Sequence, residues 1–134
     1  MKMIIESERL WLREFNVLDA EVLFDLNNDP EVIRYTGDAA FESVEATRKF
    51  IEAYDQYEKN KMGRWLVIIK HNNEILGWCG LKFLPDENEV DLGYRFFKKY
   101  WGQGYATESA TAVLNCGFET LKLKRIIGRA AAAN

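Results

Sequence analysis

The chain has 134 residues, 48% of them hydrophobic and 29% charged, an ordinary composition for one folded domain (residues 1–134) that buries about two thirds of its unfolded surface. Its 18 Lys and Arg against 21 Asp and Glu give a net charge of −3, which leaves no basic surplus for nucleic acid and no charged block set apart as a tail. The opening MKMIIESERL lacks an apolar run after its lysine, so it does not read as a signal peptide, and no stretch approaches the ~20 apolar residues of a membrane span.

In chain order, residues 9–15 alternate, with Leu10 and Leu12 opposed to Trp11 and Arg13, and predict a strand. Asn16 offers an N-cap with Asp19 three positions on, opening a helix whose face is Leu18, Val22 and Leu26 and which ends near Asn28 because Pro30 restricts Asp29. A second helix starts at Ser43 and buries Thr47, Phe50, Ile51, Tyr54 and Tyr57. The period then changes. Residues 64–70 (RWLVIIK), 75–84 (ILGWCGLKFL) and 89–97 (EVDLGYRFF) predict three strands joined by turns at His71 to Glu74 and Pro85 to Asn88, an antiparallel meander. A glycine-containing loop leads into a helix over 107–121 that buries Ala110, Leu114, Phe118 and Leu121 beside Val113, and a strand over 125–131 closes the chain. The order β-α-α-β-β-β-α-β makes this an α+β fold.

Cys79 and Cys116 lie outside any Cys-x-x-Cys spacing, and His71 is the single histidine. Zinc sites and Cys-His or Ser-His-Asp catalysis therefore lack their parts, no metal is expected, and the thiols read as reduced, buried groups of a cytoplasmic protein.

The informative segment is Tyr100-Trp101-Gly102-Gln103-Gly104-Tyr105-Ala106. A strand that passes through a glycine turn into a helix presents backbone N–H groups and the positive end of the helix dipole, a setting for phosphate. Lys98 and Lys99 stand just before it. A glycine turn with no ligand has the same spacing. Tyr105 and Ala106 stand where a P-loop needs Lys followed by Ser or Thr. A dinucleotide fingerprint fails too, since Thr107 replaces its third small residue, a meander precedes the loop, and the next strand carries Arg125 and Arg129 instead of an acid.

Asp91-Leu92-Gly93-Tyr94 followed by Tyr100 through Glu108 resembles the acetyl-CoA motif of GNAT N-acetyltransferases, in particular the branch that acetylates ribosomal-protein N-termini and its small-amine relatives. Glu8-Arg9-Leu10-Trp11-Leu12-Arg13 and Asn28-Asp29-Pro30-Glu31-Val32 are similar to that branch as well. Gly104 and Ala106 match the family pattern, while Trp101 takes a place usually held by Gln or Arg.

The resemblance implies transfer of an acetyl group from acetyl-CoA to a primary amine. It places the CoA pyrophosphate on the amides of Trp101, Gly102, Gln103, Gly104, Tyr105, Ala106 and Thr107. The pantetheine arm pairs with the strand edge at Tyr94, Arg95, Phe96 and Phe97, and the acetyl group lies near Leu92 and Gly93, where a strand N–H stabilises the oxyanion. A carboxylate beside it takes the amine's proton. Asp91 holds the position this branch often fills with Glu, and Glu89, two residues earlier, is the second candidate; each reads equally as a solvated or salt-bridged carboxylate. Tyr35, Trp65 and Trp78 line an amine pocket or are core, and Met62 and Phe83 are packing.

The family pattern continues into an Asn-x-x-Ser segment, a helix and two more strands, with the general acid in that part. Asn134 resembles the Asn of that segment, so the chain reads as truncated at its C-terminus, with a last strand whose open edge invites a homodimer. Two other functions are compatible with the residues: a non-catalytic acyl-CoA-binding module, and a structural α+β interaction domain whose glycine loop is empty.

Overall fold

The computed structural model of the chain describes residues 3–33 and 40–128. The chain opens with two strands where the pattern predicts one. β1 (Met3–Glu6) and β2 (Leu10–Arg13) form an antiparallel hairpin, and the Ser7 amide donates to the Leu10 carbonyl at 2.9 Å. Four residues are too few for a period to declare itself, so only pairing with β2 makes β1 a strand.

Asn16 caps the first helix as expected. Its side chain accepts from the Leu18 amide, and Asp19 accepts from the Asn16 amide, completing a capping box. The turn Val17–Asp19 is a 3-10 turn, which rotates the face of α1 (Ala20–Asn28) that follows. The buried residues are Ala20, Leu23 and Leu26, and Leu18 is 83% exposed, a correction to the expected Leu18–Val22–Leu26 face. Pro30 opens a further short helix, α2 (Pro30–Ile33). Ser43 caps α3 (Val44–Glu52) by accepting from the Ala46 amide. Thr47 and Ile51 are buried there, whereas Phe50 is exposed. Tyr54 lies past the end of α3 and Tyr57 lies in α4 (Gln56–Asn60), where both hydroxyls turn to the backbone of Arg64.

The meander forms as the pattern predicts: β3 (Arg64–Ile69), β4 (Ile75–Leu84) and β5 (Glu89–Phe96). The chain then enters α5 (Tyr105–Asn115), which ends in a π turn at Cys116–Thr120. That helix carries the chain back across the sheet, so β6 (Ile127–Gly128) joins β5 in parallel. The sheet order is β1-β2-β3-β4-β5-β6. The strand predicted over 125–131 is described only at Ile127–Gly128, and residues 129–134 lie outside the described residues.

Both faces of the sheet are covered, and β3 shows how. Trp65, Val67 and Ile69 pack with Leu12, Leu81, Val90 and Val113 on the α5 side, while Leu66 and Ile68 pack with Leu23, Leu26 and Ile51 on the α1 and α3 side. Alternate side chains of one strand thus serve two cores. On α5 the buried residues are Ser109 and Val113, with Gly117 in the π turn, and Phe118 is exposed. This corrects the expected Ala110–Leu114–Phe118–Leu121 face. Close approach chooses it, since a Cβ at position 117 would meet the Ile126 side chain at 2.6 Å.

One buried ion pair pins β2 to α1. Arg13 donates from both Nη atoms to the two oxygens of Asp19 at 2.8 Å, with the side chains 8% and 4% exposed. Asp19→Ala leaves that guanidinium buried without its partner and is expected to cost about 3–5 kcal/mol in urea denaturation. Replacing both residues with apolar side chains of similar volume is expected to cost much less, and equal losses would show that the two do not act as a pair.

Candidate active site

The site is built around the end of β5. β6 pairs with β5 at Asp91 and Leu92 alone among the described residues, while β4 follows β5 along its other side as far as Phe96. The Phe97 amide donates to the Leu76 carbonyl at 3.0 Å. By antiparallel alternation, Gly93 and Arg95 therefore turn their backbone groups to β4, and Tyr94 and Phe96 turn theirs to the side away from it. The Phe96 carbonyl accepts from the Trp101 indole N–H at 2.9 Å. That bond sets the distance between strand and loop and gives Trp101 a side-chain role that its place in the motif does not suggest.

Past Trp101, Gly102 and Gly104 adopt φ values of 77° and 83°, the left-handed region where a side chain is strained. Gly104 is the N-cap of α5 and supplies no side-chain bond. The first intrahelical bond runs from Glu108 N–H to the Gly104 carbonyl, so the amides of Tyr105, Ala106 and Thr107 have no intrahelical acceptor. Tyr94, Phe96, Trp101, Gly104 and Thr107 line a cavity of about 430 Å³ here, with Arg95, Gly102, Tyr105 and Ala106 also on its wall. The Gln103 side chain bends back to the Lys99 carbonyl at 2.9 Å, and Phe97 packs in the core beside it. Lys98 pairs with Glu31 at 3.4 Å and Lys99 lies over the Tyr100 ring.

Glu108, in the first turn of α5, locks the loop to the opening hairpin. Its carboxylate accepts from the Ser7 hydroxyl at 2.6 Å, from the Arg9 amide at 2.8 Å and from Arg9 Nε at 2.6 Å. Arg9 also reaches the Gln103 carbonyl at 3.3 Å and lies 4.4 Å from the Tyr105 ring centre. Burial works against the carboxylate charge, but the bonds from Ser7 and Arg9 outweigh it and hold the group below the ordinary glutamate range.

On the opposite face, under α1 and α3, lies a second cavity of about 590 Å³ whose wall includes Arg64, Trp78, Lys82 and Arg95. Cross-strand pairs Trp78↔Arg95, Gly80↔Gly93 and Lys82↔Asp91 put these residues on one face. Asp91 lies behind Arg64, accepting from Nη2 at 3.1 Å through one carboxylate oxygen, while its Oδ1 is buried with no hydrogen-bond partner. Glu89 instead pairs with Arg125 at 3.1 Å, at the far end of β5. Trp78 faces this cavity. Trp65 packs in the core on the α5 side, and Tyr35 lies outside the described residues. Burial pushes the Cys79 thiol up to about 12, against a bond with Ser109 that lowers it, so Cys79 is a protonated packing group.

Over residues 9–134 the chain matches the Acetyltransferase (GNAT) domain. The chain belongs to the GNAT acetyltransferase family. It is 33% identical over 122 residues to the uncharacterised N-acetyltransferase p20 of Bacillus licheniformis, covering 90% of this chain and 68% of that protein. A solved GNAT-family acetyltransferase from Bacillus anthracis superposes with a TM-score of 0.78 at 32% identity, over 94% of this chain and 72% of the other. A structure described as a proposed ribosomal-protein-serine acetyltransferase from Vibrio cholerae superposes at 0.72 with 26% identity, over 91% and 70% of the two chains. Two cavities thus flank β5, one at the glycine loop and one lined by Arg64, Lys82 and Arg95.

Arg64 and the Ser7–Arg9–Glu108 lock were not visible as site residues in the sequence. Arg64 opens a strand pattern like any solvated end residue, and Glu108 sits 99 residues from Arg9. Because Glu108 holds a lowered pKa, its stabilisation is complete above the unfolded glutamate value of about 4.3 and is lost as pH falls through the folded value. Glu108→Gln is therefore expected to lower stability at pH 7 and to converge on the parent only as pH falls through the lowered folded value of Glu108. A difference that persists unchanged at low pH would contradict this.

Proposed function

We propose that the chain transfers an acetyl group from acetyl-CoA to a primary amine. The observation that carries this reading is the uncapped N-terminus of α5, reached through two glycines at positive φ and sharing one cavity with Tyr94 and Phe96 of β5. These features fit a ligand that joins phosphates to an amide-bearing arm. First-turn amides suit the pyrophosphate, and the outward backbone groups of Tyr94 with the Phe96 N–H suit the arm as a strand partner would.

Acetyl-CoA supplies an acetyl group as a thioester; a neutral amine forms the C–N bond as the C–S bond breaks, and the proton lost by the amine ends on the departing sulfur as the CoA thiol. The residues of the chain have three tasks. Trp101 through Thr107 bind phosphate, Tyr94 through Phe97 align the arm, and the strand N–H at Leu92, directed away from β4, stabilises the developing oxyanion. Asp91, whose Oδ1 has no partner, is the carboxylate placed to receive the proton, directly or through one water. Glu89 is engaged by Arg125 and is the weaker candidate. An α-amine, with a pKa near 8, is deprotonated more readily than a lysine near 10.4, which favours acceptors of the α-amine class.

Calorimetric titration with acetyl-CoA, using NAD as control, is expected to show binding of acetyl-CoA alone. Gly104→Val forces a branched side chain into positive φ and is expected to weaken that binding at least tenfold. Asp91→Asn is expected to lower turnover by roughly two to four orders of magnitude with acetyl-CoA affinity unchanged. Retained turnover in Asp91→Asn would remove Asp91 as the base, and a chain that binds acetyl-CoA yet acetylates no amine would favour the non-catalytic reading.

A further inference from the structure

The cavity under α1 and α3 has a charge and donor pattern that points to its occupant. Arg64, Lys82 and Arg95 line it against the carboxylate of Asp55, so among the described residues three cations face one anion. Counting Asp91 behind Arg64 makes the ratio three to two, still positive in a chain whose net charge is −3.

Arg64 is the fixed point of this wall. The Tyr54 hydroxyl accepts from its amide at 2.8 Å, and the Tyr57 hydroxyl donates to its carbonyl. Its Nη1 donates to the Gly80 carbonyl at 2.8 Å and the Asp91 carbonyl at 3.3 Å, and its Nη2 donates to the Asp91 carboxylate at 3.1 Å. The Trp78 ring centre lies 4.9 Å from this guanidinium and 5.4 Å from that of Arg95, which also donates to Asn27 on α1 at 2.7 Å. Glycine at position 93 is what admits the group, because a Cβ there would stand 2.9 Å from both Nη atoms.

A guanidinium has five N–H donors, and these three bonds use three of them. Among the described residues nothing accepts from Nε–H or from the second Nη2–H. An immobilised guanidinium with donors left on adjacent nitrogens matches a planar, two-oxygen acceptor, which is a carboxylate. Phe15, Phe41 and Phe50 supply an apolar wall opposite, and a volume of about 590 Å³ falls within the roughly 300–1,000 Å³ of small-molecule sites.

We propose that the acceptor is a free amino acid or a close analogue, a primary amine that carries its own carboxylate, and that Arg64 is the residue that binds this carboxylate. Lys82 and Arg95 supply the surrounding positive field, which disfavours polyamines. Asp91, behind Arg64, orients the guanidinium. This rests on the acetyl-transfer reading for the identity of the cavity as an acceptor site, but not for its affinity for carboxylate.

The test is calorimetric titration of the full chain, with and without CoA, using the L-amino acids, their carboxamides and spermidine as probes. At least one free amino acid is expected to bind at least tenfold more tightly than its own carboxamide, with spermidine silent. Arg64→Lys keeps the charge but loses the two-point donor edge, and is expected to weaken that amino acid about ten- to a hundredfold while leaving the carboxamide unchanged. Lys82→Ala, at an exposed position, is expected to weaken it about threefold with an unaltered melting temperature, which guards against a folding defect at Arg64. Equal affinity for acid and amide, preference for spermidine, or acetyl-CoA binding with no amino acid bound overturns the inference and leaves the acetyl-transfer reading standing. Failure of both acetyl-CoA and every amino acid to bind overturns both.

Discussion

Among the described residues β5 is paired along its length with β4 and at Asp91 and Leu92 with β6, and the end of this strand sets where the glycine loop begins. A strand fully paired on both sides has no backbone groups left for a ligand. Here Tyr94 and Phe96 turn their backbone groups away from β4, and the chain leaves the strand after Phe96 to form the glycine loop. Strand edge and helix N-terminus therefore lie in one cavity, with the Trp101 indole bonded to the Phe96 carbonyl between them.

Such an opening has to be held, because an exposed edge and an uncapped helix end are both places where structure frays. Two remote contacts hold it. Glu108 ties the first turn of α5 to Ser7 and Arg9 in the opening hairpin, so the sheet's first turn restrains the loop at its far end. On the other face, Tyr54 and Tyr57 fix the backbone of Arg64, and Asp91, Gly80 and Trp78 fix its head. The two half-sites meet across β5, whose alternate residues face opposite cavities. A strand is well suited to this task, since its period of two sends neighbours to opposite sides at a fixed spacing.

The positive wall around Arg64 differs from the rest of the surface in sign and in rigidity. Lys98 and Lys99, the charges nearest the glycine loop, sit in exposed, solvent-screened contacts, where an ion pair adds little. Arg64 is 16% exposed and held by several groups at once. A charge kept in place in a partly desolvated cavity exerts more selectivity on a ligand than a mobile surface lysine does, because less ordering is needed when the ligand arrives.

Much of this was determined by the sequence alone. The meander was legible because its period of two and its turn residues are local properties of the chain, as were the cap at Asn16, the helix start at Ser43 and the helix end before Pro30. The glycine loop was legible because its function is carried by backbone, and backbone freedom is visible as glycine. The tertiary structure decided the rest. The four residues of β1 became a strand only by pairing, a 3-10 turn rotated the buried face of α1 away from Leu18, and close packing at Gly117 rather than hydrophobicity chose the face of α5. It separated Trp78 from Trp65, which differ by strand phase and so lie on opposite sides of the sheet. It joined Arg64 to Asp91 and Arg9 to Glu108, pairs 27 and 99 residues apart. No local rule reports such contacts, because their energy depends on a distance that exists only after the sheet has assembled.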